Sequence, residues 1–270
     1  MKYLITLGCS WTWGAGCGYI DDITFDEYRN LIFNEAFAEK YSFRSLLAKR
    51  YGYQNINFSI YRSSNKKQFR CARNFFGSDM FKEIKHNAED IIVLWGITAT
   101  SRDEVFSTET NQYIDILLNH DHPHSLTEEK IAKFFVENTY DHRHEVFELA
   151  QDMAHWNNYF KLSGIKNYWF DSFNHHDYTV NSPGSGKDYV NNTNIENFVI
   201  QHEYARDLMS QLILTDGIDK FDSKYHTSTG LLDTNRADLL IEKKLVNPFS
   251  FHPTKLGNEK IAGMMKHLFE

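Results

Sequence analysis

Ser10 stands in the stretch Leu4-Ile5-Thr6-Leu7-Gly8-Cys9-Ser10-Trp11-Thr12-Trp13-Gly14, directly after an N-terminal apolar run. A serine hydroxyl is a weak nucleophile unless a base takes its proton and donors hold the oxyanion that forms. The tight Gly8-Cys9-Ser10 turn opens toward Gly14 and Gly16, where a helix can begin. In that place the N–H of Ser10 itself would point at a developing oxyanion. The candidate base is remote in sequence. It is His252, in Phe251-His252-Pro253-Thr254-Lys255-Leu256-Gly257-Asn258-Glu259-Lys260-Ile261-Ala262. A nucleophile after the first strand and a base before the last helix meet only if the chain folds back on itself. The plainer alternatives are a helix-capping serine and a structural loop histidine.

Both segments resemble the first and last blocks of the SGNH (GDSL-like) hydrolases. Asn57-Phe58-Ser59-Ile60-Tyr61-Arg62-Ser63-Ser64-Asn65 resembles the Asn-x-Gly second block, most of all the Ser-Asn-ending form of bacteriophage members. The resemblance implies that the N–H of Ser59 is a second oxyanion donor, approached past a side chain where the family has glycine. Gly96-Ile97-Thr98-Ala99-Thr100-Ser101-Arg102 falls where the family has Gly-x-Asn-Asp, so Thr98 takes the third donor position with a shorter reach. The family aspartate, three residues before the histidine, is here Phe249, and Ser250 follows it. The second, third and last blocks are thus degenerate. What remains is a Ser10–His252 dyad or incomplete triad, with a backbone carbonyl or a distant carboxylate such as Asp222 left to receive the other ring N–H. Trp11, Arg62 and Asn65 are candidate substrate contacts. Arg62 suits an anionic group, although a surface salt bridge accounts for it equally well.

The resemblance implies a serine esterase or O-deacylase acting on an acyl ester, with acetylated carbohydrate as one substrate class, and requires no metal and no organic cofactor. The partner is then a small-molecule or glycan ester. A rival reading keeps the fold without turnover, as a binding or structural protein of a phage particle. Departures at Ser59, Thr98 and Phe249 support the rival; Ser10 and His252 together argue against it.

The elements that must position these residues alternate. Tyr3 to Leu7 reads as a buried strand, Ser42 to Tyr51 as a helix stopped by Gly52, and Gln54 to Ile60 as a second strand. Ser63 or Ser64 caps a helix through Phe76. Asp90 to Trp95 is a continuous apolar run of the kind found in parallel sheets covered on both faces. Helices are expected over 126–138, 143–162, 195–214 and 254–269, the last capped by Thr254, with a strand over Lys166 to Phe170. The expectation is one domain over 1–270. It is α/β, a doubly wound three-layer sandwich (SGNH/flavodoxin-like) with a mostly parallel sheet of about five strands. Inserted loops are expected near 18–38, 107–125 and 172–194. Ser10, Ser59 and Thr98 each follow a strand, so they should gather at the carboxyl edge of the sheet.

Composition narrows the classes further. A net charge of -7 makes a nucleic-acid-binding face a poor fit. Three cysteines (Cys9, Cys17, Cys71) form neither a closed disulfide set nor a metal spacing and suit a reducing compartment. The N-terminal apolar run is too short for a signal-peptide core or a membrane span, and the expectation is a cytoplasmic protein, in the host if viral. Aromatic residues reach 15%, which by default serves core packing. His120-Asp121-His122-Pro123-His124 lacks a fourth ligand for zinc. Ser182-Pro183-Gly184-Ser185-Gly186-Lys187 departs from a phosphate loop at Asn181 and Asp188. His142, His144 and His155 read as surface or packing residues, and Asn191-Asn192-Thr193 as a chance sequon.

Overall fold

A computed structural model describes residues 1–117, 126–138, 140–172, 176, 197–199, 207–215 and 234–270. The central sheet comprises β1 (Lys2–Leu7), β2 (Tyr53–Asn57), β3 (Ile91–Ile97) and β6 (Lys166–Asp171), all parallel, in the order β2-β1-β3-β6. Register runs from Tyr3 against Ile91 and from Ile92 against Lys166. Beside β6, Asn197 to Val199 adds a parallel fragment: the Trp169 N–H donates to Asn197 O at 3.0 Å and the Val199 N–H to Trp169 O at 2.8 Å. Among the described residues the sheet thus has four strands where about five were expected, with this fragment adding only an isolated parallel bridge.

Strand alternation explains the two cores. Leu4, Ile92, Leu94 and Phe170 face one side and pack on α4 (Phe43–Tyr51), α9 (Leu208–Thr215), α10 (Thr234–Glu242) and α11 (Lys255–Met264). Ile5, Leu7, Ile91, Val93, Trp95 and Trp169 face the other. They pack on α5 (Asn65–Phe76), α6 (Asp79–Ile84) and α8 (His142–Ser163). All seven residues of β3 are buried, as a strand covered on both faces requires. The helix ends follow their caps: Ser64 accepts from the Lys67 N–H, Thr254 from the Gly257 N–H, and Gly52 stops α4 at φ 72°.

Several expectations need correction. Of the described part of 195–214, Leu208–Thr215 is helical, whereas Asn197 to Val199 is not and instead bonds the backbone of Trp169 on β6. The stretch 107–125 is not an irregular loop from its start. An antiparallel hairpin, β4 (Arg102–Ser107) and β5 (Gln112–Leu117), crosses into it, followed after an undescribed gap by α7 (Leu126–Asn138). The hairpin docks on α5 through charge: Arg70 makes two 2.8 Å bonds to Glu104, Lys67 meets Asp115 at 2.6 Å, and Lys66 meets Asp103 at 2.9 Å. Insert 18–38 carries two short helices, α2 (Phe25–Leu31) and the start of α3 (Glu35–Tyr41), with a Thr24–Glu27 capping box on α2. The histidine cluster 120–124, the glycine-containing stretch 182–187, the sequon at 191–193 and Asp222 lie outside the described residues.

Candidate active site

Because the sheet is parallel, the carboxyl ends of β1, β2, β3 and β6 open on one edge, where ligands bind in such folds. Ser10 starts α1 (Ser10–Trp13), a single helical turn after β1. Gly8 makes the turn: its φ is 146°, and a Cβ there would lie 2.3 Å from Thr12 Oγ1, so only glycine fits. The Gly8 N–H donates to Gln68 Oε1 at 2.9 Å, and Gln68 Nε2 donates to Ser63 Oγ at 2.7 Å, which ties the Ser10 turn to the start of α5. The Ser10 side chain is nearly buried and its hydroxyl makes no hydrogen bond among the described residues.

Ser59 follows β2, with Ile60 donating its N–H to Gly8 O at 3.0 Å. The Ser59 N–H donates to Asn57 Oδ1 at 3.1 Å, and its hydroxyl also bonds that oxygen. This donor is therefore committed inside its own turn. Thr98 follows β3 and is clamped by Asn65, whose Oδ1 accepts the Thr98 N–H and whose Nδ2 donates to Thr98 O, both at 2.9 Å. The Asn65 amide thus serves the backbone of Thr98 rather than standing open to a ligand. The Thr98 hydroxyl is buried and has no partner among the described residues. An orphaned buried hydroxyl is costly and points to an absent partner.

His252 reaches the same edge through the α1 exit. A Cβ on Gly16 would lie 2.2 Å from Pro253 O and 2.8 Å from the His252 carbonyl carbon, so glycine permits the Ser10 segment to touch the histidine segment. His252 Nδ1 is 2.8 Å from Ser250 Oγ, which in turn is 2.7 Å from the Tyr28 hydroxyl and 3.0 Å from Asn247 Oδ1. No Ser10–His252 hydrogen bond forms in this state. The Tyr61 ring lies over the same side, 5.8 Å from the imidazole centroid. Burial, reinforced by the Arg102 charge, pushes His252 down to about 3. Its imidazole is neutral at physiological pH, in a setting that disfavours the charged form.

Phe249, at the position where a carboxylate was expected, packs among Tyr19, Phe25 and Tyr28 with ring centroids 5.6–6.0 Å apart. It anchors the insert carrying α2. Trp11, a candidate substrate contact, is 2% exposed within the apolar core, because the α1 turn directs it inward. Arg62 stays half-exposed in the left-handed region at φ 63°, its guanidinium 5.6 Å from the Tyr61 ring centroid. Among the described residues no carboxylate pairs with Arg62.

Sequence reasoning missed Tyr28, Asn247, Gln68 and Arg102 and gave Ser250 no role. Asn247 had a readable signal: an Asn whose Oδ1 accepts the N–H groups two and three residues on is an Asx turn. Tyr28 and Arg102 had none, since they arrive from the insert and the hairpin. His176 is buried with Nε2 3.1 Å from Thr98 O, and burial pushes it down to about 4. His142, read as a surface or packing residue, is exposed, with Nδ1 2.9 Å from Thr100 Oγ1.

No protein-family profile matches the chain, and no curated protein sequence does. Among solved structures, it is similar to an acetyl xylan esterase from the rumen bacterium Butyrivibrio proteoclasticus, with 10% identity and a TM-score of 0.37, over 65% of this chain. The chain spans 48% of that esterase. It is also similar to a carbohydrate esterase whose active site displays divergent catalytic and non-catalytic binding functions. There the identity is 12% and the TM-score 0.39, over 99% of this chain and 68% of the other. Similarity at this level assigns neither a family nor an activity.

Proposed function

We propose that the protein is an SGNH-like serine hydrolase that removes an acyl group from an ester, with an acetylated carbohydrate as the substrate class. The observation that carries this reading is the gathering of three groups at one sheet edge. Ser10 and Thr98 hold uncommitted hydroxyls there, and His252 holds a neutral imidazole. Ser10 Oγ attacks the acyl carbon while His252 takes its proton. The Ser10 N–H and the Thr98 hydroxyl hold the oxyanion. His252 then returns the proton to the leaving alcohol, and water releases the acid by the same steps in reverse order. Nucleophile–base hydrogen bonds are commonly long without substrate and tighten in the reacting complex.

The committed N–H of Ser59 favours a second reading, a binding module on a hydrolase fold. A fluorophosphonate probe separates the two. The hydrolase labels in the wild type and loses labelling in Ser10→Ala and His252→Ala. A folded wild type that does not label establishes the binding module.

A further inference from the structure

The groups around His252 determine where its proton sits. Asn247 is oriented without ambiguity: its Oδ1 accepts the N–H of Phe249 at 3.2 Å and of Ser250 at 2.9 Å, while its Nδ2 donates to His252 O at 2.9 Å. An amide oxygen only accepts, so the single hydroxyl hydrogen of Ser250 goes to Asn247 Oδ1 at 3.0 Å. Ser250 Oγ then accepts from its other two neighbours, His252 Nδ1 at 2.8 Å and the Tyr28 hydroxyl at 2.7 Å, a shorter path for the Tyr28 proton than the 3.4 Å to Ala15 O. Tyr28 suits the donor role, since burial pushes its hydroxyl up to about 12 and keeps the proton on it.

We propose that Ser250 is the positioning residue for His252, its hydroxyl oxygen accepting the Nδ1 proton so that Nε2 is the bare nitrogen left to serve Ser10. This rests on the Ser10–His252 reading and adds to it a neutral hydroxyl, locked by Tyr28 and Asn247, in the role usually held by a carboxylate. The sequence offset agrees with the geometry. Phe249 is occupied as the aromatic anchor of the insert, and the next residue turns its side chain to the imidazole. Phe251, at φ 56°, carries the backbone through the turn that lets Ser250 and His252 meet. The charged and titratable groups around the imidazole are Arg102 from β4, Tyr61 from the β2–α5 connection and Tyr28 from α2, with Arg62 beyond Arg102. Among the described residues no carboxylate bonds to His252.

The test is histidine-selective 15N NMR of the whole protein, with the His252 signals assigned from His252→Gln and the fluorophosphonate labelling rate measured on the same samples. The expected wild-type signature is a protonated Nδ1 and a bare Nε2. Ser250→Ala should lose that preference and label on the order of a hundredfold more slowly, while Ser250→Thr keeps the tautomer and recovers most of the rate. Tyr28→Phe removes one donor and should leave the tautomer in place with a smaller rate loss. A wild-type His252 protonated on Nε2 overturns the proposal, as does Ser250→Ala with tautomer and rate unchanged. If Ser250→Ala does not fold, the wild-type tautomer and Ser250→Thr decide. An Nδ1-protonated His252 in a folded protein that never labels overturns the hydrolase reading instead, and the base role with it.

Discussion

Thr98 carries the sharpest contrast between stability and chemistry at the level of single residues. Its hydroxyl is buried without a partner among the described residues, so the resting protein gains nothing from it. Thr98→Val should leave Tm unchanged or slightly higher while lowering kcat toward an ester by about a hundredfold, the typical cost of one oxyanion donor. Equal activity in the two proteins, measured beside their melting curves, would remove Thr98 from the oxyanion site. Phe249 makes the opposite case. Restoring the expected carboxylate with Phe249→Asp removes a ring from the Tyr19–Phe25–Tyr28 group and places a charge there. The half-buried site should lose about 2 kcal/mol in denaturant titration, with no gain in rate, since Ser250 already occupies Nδ1.

At the scale of elements, the β4–β5 hairpin is attached to α5 mainly by charge, and its first residue, Arg102, lies near the catalytic histidine candidate. Arg70 is the central contact, bidentate to Glu104 and stacked 4.2 Å over the Tyr113 ring. Hydrogen bonds to charged groups contribute about 1.5–3 kcal/mol. Arg70→Ala should therefore speed amide exchange across 102–117 by about ten- to a hundredfold and leave β1, β3 and β6 protected. Uniform loss of protection would mean that the hairpin and the sheet unfold as one unit. The turn before α1 obeys the same logic of local positioning: Gln68 holds Gly8 from α5 and so ties the Ser10 turn to that helix.

At the scale of the whole molecule, two of the described histidines are buried and pushed toward the neutral form, His252 down to about 3 and His176 down to about 4. In the unfolded chain both titrate near 6.5. Between those values the unfolded state binds protons that the folded state does not, so stability rises with pH. It is fully present above about pH 6.5 and is lost as pH falls toward 4, by up to about 1.4 kcal/mol per histidine per pH unit. Melting curves from pH 7 to pH 4.5 should show this slope, and His176→Gln should flatten it. An unchanged slope would place the acid sensitivity in the carboxylates alone.

The four strands of the central sheet and helices α4, α5, α7, α8 and α11 were legible in the sequence because each depends on local pattern. The apolar run read at Asp90 to Trp95 has the pattern of a strand covered on both faces and proves to be β3, and Ser64, Thr254 and Gly52 mark helix ends through bonds to their near neighbours. The placement of Ser10, Ser59 and Thr98 followed too, since parallel strands bring their carboxyl ends to one edge. The inward turn of Trp11, the clamp of Asn65 on Thr98 and the charge-docked hairpin depend on partners distant along the chain, and no spacing encodes them. The role of Ser250 was decided in the same way. Its partners Tyr28 and His252 lie 222 residues apart from it and two residues from it, respectively, and only folding the insert onto the last turn makes one hydroxyl the meeting point of both.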